Sequence, residues 1–93
     1  MIELKEVLKE IVSPIVSQPE KVIIIEEASG RDVLLKLNVA PEDMGKVIGR
    51  HGKIAKAIRT VMKAAATAAN LHVRVDILDY DELNESAPAF DEE

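Results

Sequence analysis

Apolar residues recur at helical spacing at the start of the chain. Charged residues fill the positions between them, and the apolar positions are Leu4, Val7, Leu8, Ile11, Val12 and Ile15. This spacing predicts an amphipathic helix. Pro14 should bend or end it, because proline lacks the amide N–H that a helix interior needs.

Two strands are predicted next. Residues 21–27 contain a β-branched run typical of a strand. After residues 28–30, apolar side chains occupy every second position, at Val33, Leu35, Leu37 and Val39. A period of two indicates a half-buried strand, and the short connection favours a hairpin.

Two helices and a third strand complete the pattern. Pro41 suits the first position of a helix, and Glu42 and Asp43 suit its first turn, where the helix dipole favours acidic groups. Gly45, Gly49 and Gly52 must keep this helix short. A longer helix is predicted from residue 53 to about residue 69, and alternation over residues 71–77 predicts a strand. The inward stripe of the long helix is predicted at Ile54, Ile58, Val61, Met62, Ala65 and Ala69.

The predicted order is therefore α-β-β-α-α-β in a single α+β domain, since 93 residues can bury one modest core. We expect this domain to occupy residues 1–79, with its helices on one face of a three-stranded sheet. Residues 80–93 are acidic and lack periodicity, so we expect them to be disordered.

The charge of the chain is unevenly distributed. The formal net charge is -5, but residues 1–75 carry 12 basic and 9 acidic groups, and residues 76–93 carry 8 acidic groups and no basic one. Residues 44–75 contain no acidic side chain, and their seven basic residues are Lys46, Arg50, Lys53, Lys56, Arg59, Lys63 and Arg74. This asymmetry favours a polyanionic partner.

The sequence argues against several other classes of protein. Cysteine is absent, which suits a reducing cytoplasm, and no apolar run is long enough for a membrane span, so we expect a cytoplasmic protein with no membrane insertion. His51 and His72 are too isolated for a metal site, and no nucleophile has a base at recognisable spacing. A phosphate-binding P-loop fails because Val47 and Ile54 occupy its first glycine and hydroxyl positions. We expect no enzyme, metal or cofactor.

Gly49 and Gly52 mark the candidate chemistry. The long helix opens with Arg50, His51 and Lys53, although the first turn of a helix normally favours acidic residues. Glycine lets backbone N–H groups approach a phosphate closely, so a basic glycine loop at a helix start is suited to an anion. The alternative is an ordinary glycine-broken turn with a solvated basic face.

The run GKVIGRHGKIAKAIRT, residues 45–60, resembles the signature of KH domains, in which a G-x-x-G loop joins two helices. The element order resembles the bacterial type II KH fold, with three helices packed on a three-stranded mixed sheet. Residues 2–78 as a whole resemble the KhpA family of small bacterial single-KH proteins.

This resemblance implies that the loop holds the backbone of single-stranded RNA, about four nucleotides of it, with bases in a groove beside residues 33–39. It also implies an RNA chaperone or post-transcriptional regulator that forms a homodimer and pairs with a larger KhpB-type KH protein. The expected RNA-binding residues are Lys46, Ile48, Gly49, Arg50, His51, Gly52, Lys53, Ile54, Lys56 and Arg59. The two isoleucines are alternatively wholly core residues.

Two further questions stay open. A KH fold can dock protein, and the alanine-rich residues 64–69 would allow close helix approach, so a protein-interaction module is the alternative function. The acidic segment is either a solvating tail or a weak competitor of RNA for Lys53, Lys56, Arg59 and Lys63. Tyr80 and Phe90, the only aromatic residues, both lie beyond the predicted domain, so base stacking on aromatic side chains is not available within it.

Overall fold

The predicted element order is confirmed by the computed structural model, which describes residues 3–78. The elements are α1 (Leu4–Val12), β1 (Ile23–Ser29), β2 (Asp32–Asn38), α2 (Met44–Ile48), α3 (Lys53–Ala68) and β3 (His72–Leu78), with 3-10 turns at Pro19–Lys21, Pro41–Asp43 and Arg50–Gly52. The predicted disorder of residues 80–93 lies outside the described residues.

The sheet is mixed, as the type II resemblance implied. Its strand order is β1-β2-β3, with β1 antiparallel to β2 and β2 parallel to β3. A two-residue connection closes the hairpin, and Gly30 at its first position has φ +61°, a conformation that glycine adopts without a steric penalty. In this register Asn38 lies beside both Ile23 and Leu78.

One hydrophobic core fills the space between the sheet and the three helices. Alternate residues of β2 face it, with Val33, Leu35 and Leu37 no more than 7% exposed. The helices contribute the other side of the core through Leu4, Leu8, Val12, Val47, Ile58, Met62 and Ala66. All three helices therefore cover the same face of the sheet, as predicted.

The predicted inward stripe of α3 is partly wrong. Ile58 and Met62 are buried, but Val61 is 50% exposed and Ile54 is 38% exposed, whereas the small residues Ala55 and Ala66 are buried. The helix is rotated by about 60° from the predicted orientation, at 100° per residue. Small side chains at these two positions let the helix backbone approach its neighbours closely, and a pattern that weights large apolar residues does not detect this.

Asp43 fixes the start of α2 against the turn that follows α1. Its buried carboxylate accepts hydrogen bonds from the backbone N–H groups of Ser17 at 3.1 Å and Gln18 at 3.0 Å. The ammonium of Lys46 lies 3.5 Å from the same carboxylate. The sequence predicted only a favourable charge in a first helical turn, so this connection across 25 residues is a new finding.

This arrangement predicts a pH dependence of stability. Burial alone would raise the pKa of Asp43, but the two amides and Lys46 outweigh it, and the pKa lies below its ordinary value of 3.8. A carboxyl with a lowered folded pKa contributes stability above its unfolded pKa, and that stability is lost as the pH falls through the folded pKa. We therefore expect urea unfolding midpoints to fall below pH 3.8, and Asp43→Asn to lower the midpoint at pH 7 and flatten this acid limb. An acid limb as steep in Asp43→Asn as in the wild type would contradict this role.

No helix within residues 3–78 is both long and apolar enough to cross a membrane.

Candidate nucleic-acid interface

The loop between α2 and α3 has an unusual backbone. Gly49 ends α2 with φ 76° and ψ 175°, His51 follows with φ 57°, and Gly52 has φ 73°. The conformation of Gly49 is essentially restricted to glycine, and histidine is among the non-glycine residues that tolerate the left-handed region best. Three of four consecutive residues thus have positive φ, which turns the chain sharply between the two helices.

The two loop glycines have different requirements. A Cβ on Gly49 would lie 2.8 Å from Cβ and 2.9 Å from the backbone nitrogen of Ile54, so the loop backbone packs directly against the first turn of α3. A Cβ on Gly52 would meet open space, and only its positive φ favours glycine. Close packing at Gly49 fixes the position of the loop relative to the helix.

The start of α3 is suited to an anion. Gly52 is its N-cap residue, no side chain caps it, and its first turn contains no acidic residue. Gly52 N–H and Lys53 N–H already donate to Gly49 O and Arg50 O. The first-turn amides that follow carry the positive end of the helix dipole. A phosphate oxygen is the type of acceptor that such a terminus binds.

Arg50, Lys53 and Lys56 surround this terminus as exposed cations. None of them lies within 4.0 Å of a carboxylate in the described part of the chain, and the same holds for Lys63 two turns further along the helix. These four side chains are therefore free to meet an external polyanion as far as residues 3–78 are concerned.

Two predicted cations are already engaged within the fold. The ammonium of Lys46 donates to the hydroxyl of Ser17 and pairs with Asp43, although half of its side chain is exposed. The Nε of Arg59 donates to the carbonyl oxygen of Val75 at 3.0 Å and ties α3 to β3. Both side chains have structural partners that the sequence did not reveal.

Ile48 and Ile54 flank the loop at 39% and 38% exposure, so they are not wholly core residues. The next prediction concerns a groove for bases beside residues 33–39. The side chains of Val33, Leu35, Leu37 and Val39 are packed into the core and cannot line a groove. The strand that lies along α3 is β3, as the bond from Arg59 to Val75 shows.

An α-β-β-α-α-β domain in which a G-x-x-G loop joins two helices is a KH domain, and the fold and loop together define this class. The family model described as "KhpA/KhpB, KH domain" matches residues 5–77. The chain belongs to this family, and the resemblance found in the sequence is confirmed.

Three relatives illustrate the match, each named "RNA-binding protein KhpA". The protein from Clostridium acetobutylicum is 49% identical over 75 residues, covering 81% of this chain and all of the relative. That from Caldanaerobacter subterraneus is 45% identical over 73 residues, covering 78% and 97%. That from Listeria monocytogenes is 41% identical over 76 residues, covering 82% and 100%. These names describe a family of binding proteins and not of enzymes, in agreement with the prediction.

Proposed function

We propose that the protein binds single-stranded RNA through the loop at residues 49–52 and acts in the cytoplasm as an RNA chaperone or post-transcriptional regulator. The observation that carries the proposal is a positive-φ loop at a helix terminus without a side-chain cap, surrounded by cations that have no carboxylate partner within residues 3–78. The names of the relatives support the same class of ligand.

In this proposal the loop and the first turn of α3 hold phosphates through backbone N–H groups. Arg50, Lys53 and Lys56 supply the electrostatic attraction, and Ile48 and Ile54 offer aliphatic contacts to bases. Residues 3–78 contain no Phe, Tyr or Trp, so stacking on these large aromatic side chains does not contribute there. Binding should accordingly depend strongly on salt and weakly on RNA sequence.

The salt dependence of RNA binding distinguishes cations without a carboxylate partner in residues 3–78 from cations that have one. The logarithm of the binding constant should fall linearly with the logarithm of salt concentration, and each lost phosphate contact should reduce the slope by about 0.7 for single strands. Lys53→Ala should show this full reduction in a fluorescence anisotropy titration. Lys46→Ala should show less, because Asp43 already neutralises part of its charge. Equal reductions would contradict the distinction, and unchanged slopes in both variants would count against the proposed function.

Docking to protein is a second candidate function, and the orientation of α3 favours it. One exposed stripe of this helix is apolar at heptad-like spacing and consists of Ile54, Ala57, Val61, Ala64 and Ala68. It adjoins the basic stripe of Lys53, Lys56 and Lys63. Small residues along such a stripe allow close approach of another helix, so a second copy of the chain or a larger KhpB-type protein would fit it.

Val61→Lys tests this surface. Val61 is 50% exposed, so the substitution should leave the fold intact while placing a charge at the centre of the stripe. We expect the dissociation constant of a dimer, measured by analytical ultracentrifugation, to rise by about tenfold or more. Thr60→Lys, one residue away on the polar side, is the matched control. A similar effect of both variants, or of neither, would exclude this stripe as the interface.

A further inference from the structure

Leu78, the last residue that the structure describes, lies at the same end of the fold as the nucleic-acid interface. Two bonds fix how α3 and β3 run past each other: Leu71 N–H donates to Ala66 O at 2.8 Å, and Arg59 Nε donates to Val75 O at 3.0 Å. The helix and strand are therefore antiparallel. From the second bond, Lys53 lies about 9 Å back along the helix, at 1.5 Å per residue. Leu78 lies about 10 Å on in the same direction, at 3.3 Å per residue.

Leu78 is thus level with the start of α3, and the sequence that follows it is strongly acidic. Residues 79–93 carry seven carboxylates and no basic group, and four of the seven fall within residues 79–85. Fifteen residues can span about 50 Å when extended. The basic stripe from Lys53 to Lys63 is only about 15 Å long. The segment is therefore long enough to contact any part of the stripe.

The ion pairs of the domain also favour contact between the acidic segment and the basic stripe. On the opposite face of the sheet, Lys36 pairs with Glu27 at 3.1 Å and Arg74 pairs with Asp76 at 3.2 Å. By contrast, Arg50, Lys53, Lys56 and Lys63 face no carboxylate within residues 3–78. The cations at the start of α3 therefore lie at the end of the fold where Leu78 lies and have no carboxylate partner among residues 3–78.

We propose that residues 79–93 bind the loop at residues 49–52 and the basic stripe of α3 as an internal competitor, so that an RNA ligand must displace them. The proposal rests on the proposed function of the loop and adds its regulation. A tethered segment competes at a high effective concentration even when each ion pair is weak. Ligands with few phosphates should then be rejected, whereas RNA that engages several cations at once should displace the segment.

The test is a variant of the full chain in which the segment keeps four of its seven carboxylates. It converts three carboxylates to amides at Asp81, Glu82 and Glu85. The matched control removes the same charge near the hairpin, at the opposite end of the sheet, at Glu26, Glu27 and Asp32. Backbone amide chemical shifts of residues 49–56 are compared without RNA at low salt, and affinity for a single-stranded RNA pool is measured on the same samples.

We expect the segment variant, and not the control, to shift the amide resonances of residues 49–56. Its RNA affinity should rise about two- to fivefold at low salt, the size expected of a few exposed ion pairs, and should converge with that of the wild type at high salt. Unchanged amide resonances, or equal gains in affinity for variant and control, would overturn the proposal. Absence of RNA binding in every protein would instead overturn the proposed function, while the resonances would still decide whether the segment contacts the loop.

Discussion

Gly49→Ala is expected to destabilise the protein by about 2–6 kcal/mol. Forcing an L-residue into the backbone region that Gly49 occupies costs about 1–3 kcal/mol, and an added methyl group in a closely packed site costs about 1–3 kcal/mol more. Both costs apply at Gly49, because its φ is 76° and its added Cβ would lie 2.9 Å from the backbone nitrogen of Ile54. Urea unfolding followed by circular dichroism measures the change.

Two other glycines of the same region provide matched controls. Gly52→Ala should cost only about 1–2 kcal/mol, since φ is positive there but the surrounding space is open. Gly45→Ala should stabilise the protein by about 0.5–1 kcal/mol, because Gly45 lies in α2 with no steric neighbour. Equal losses at Gly49 and Gly52 would show that close packing against Ile54 is unimportant.

Much of the fold follows from local patterns in the sequence. The two hydrophobic periods place α1, α3 and the three strands to within a few residues, because burial on one face repeats along each element. Pro41 and the glycines that follow it place α2. The loop was also recognisable, since glycine spacing and an unfavourable basic helix start both report on the backbone nearby. Sites where a local rule is broken are where function is expected.

The parts that sequence reasoning missed depend on contacts between distant segments. Nothing near Asp43 indicates that its carboxylate binds amides 25 residues earlier in the chain, and nothing near Arg59 indicates Val75 as its acceptor. The prediction of the orientation of α3 was wrong for a related reason. Which side of a helix faces inward depends on how closely it approaches the sheet, and Ala55 and Ala66 set that distance only once the fold exists.

Replacing both Arg50 and His51 by aspartate is expected to reduce RNA affinity by about 100-fold or more at low salt. The change removes one cation and places two carboxylates where phosphate is proposed to lie, and juxtaposed like charges cost several kcal/mol. The fold should tolerate it, because both side chains are exposed and aspartate accepts the left-handed conformation of His51. Acidic residues at a helix start are also favourable, so stability should be equal or higher.

Measuring both stability and RNA affinity distinguishes a role of the basic helix start in RNA binding from a role in the fold alone. If the basic helix start serves only the fold, its reversal should change stability without changing binding. If it serves RNA, stability and affinity should move in opposite directions. A control pair, Lys5→Asp with Arg31→Asp, introduces at least as much negative charge away from the loop, at α1 and in the hairpin connection.

The most direct test is binding of a labelled single-stranded RNA pool, measured by fluorescence anisotropy at about 50 mM and about 200 mM salt. We predict that the wild type and the control pair bind with a steep salt dependence and that the folded Arg50→Asp, His51→Asp variant binds at least about 100-fold more weakly. Equal binding by the loop variant and the control pair, with both shown to be folded, would contradict the assignment of the loop at residues 49–52 as the RNA-binding site.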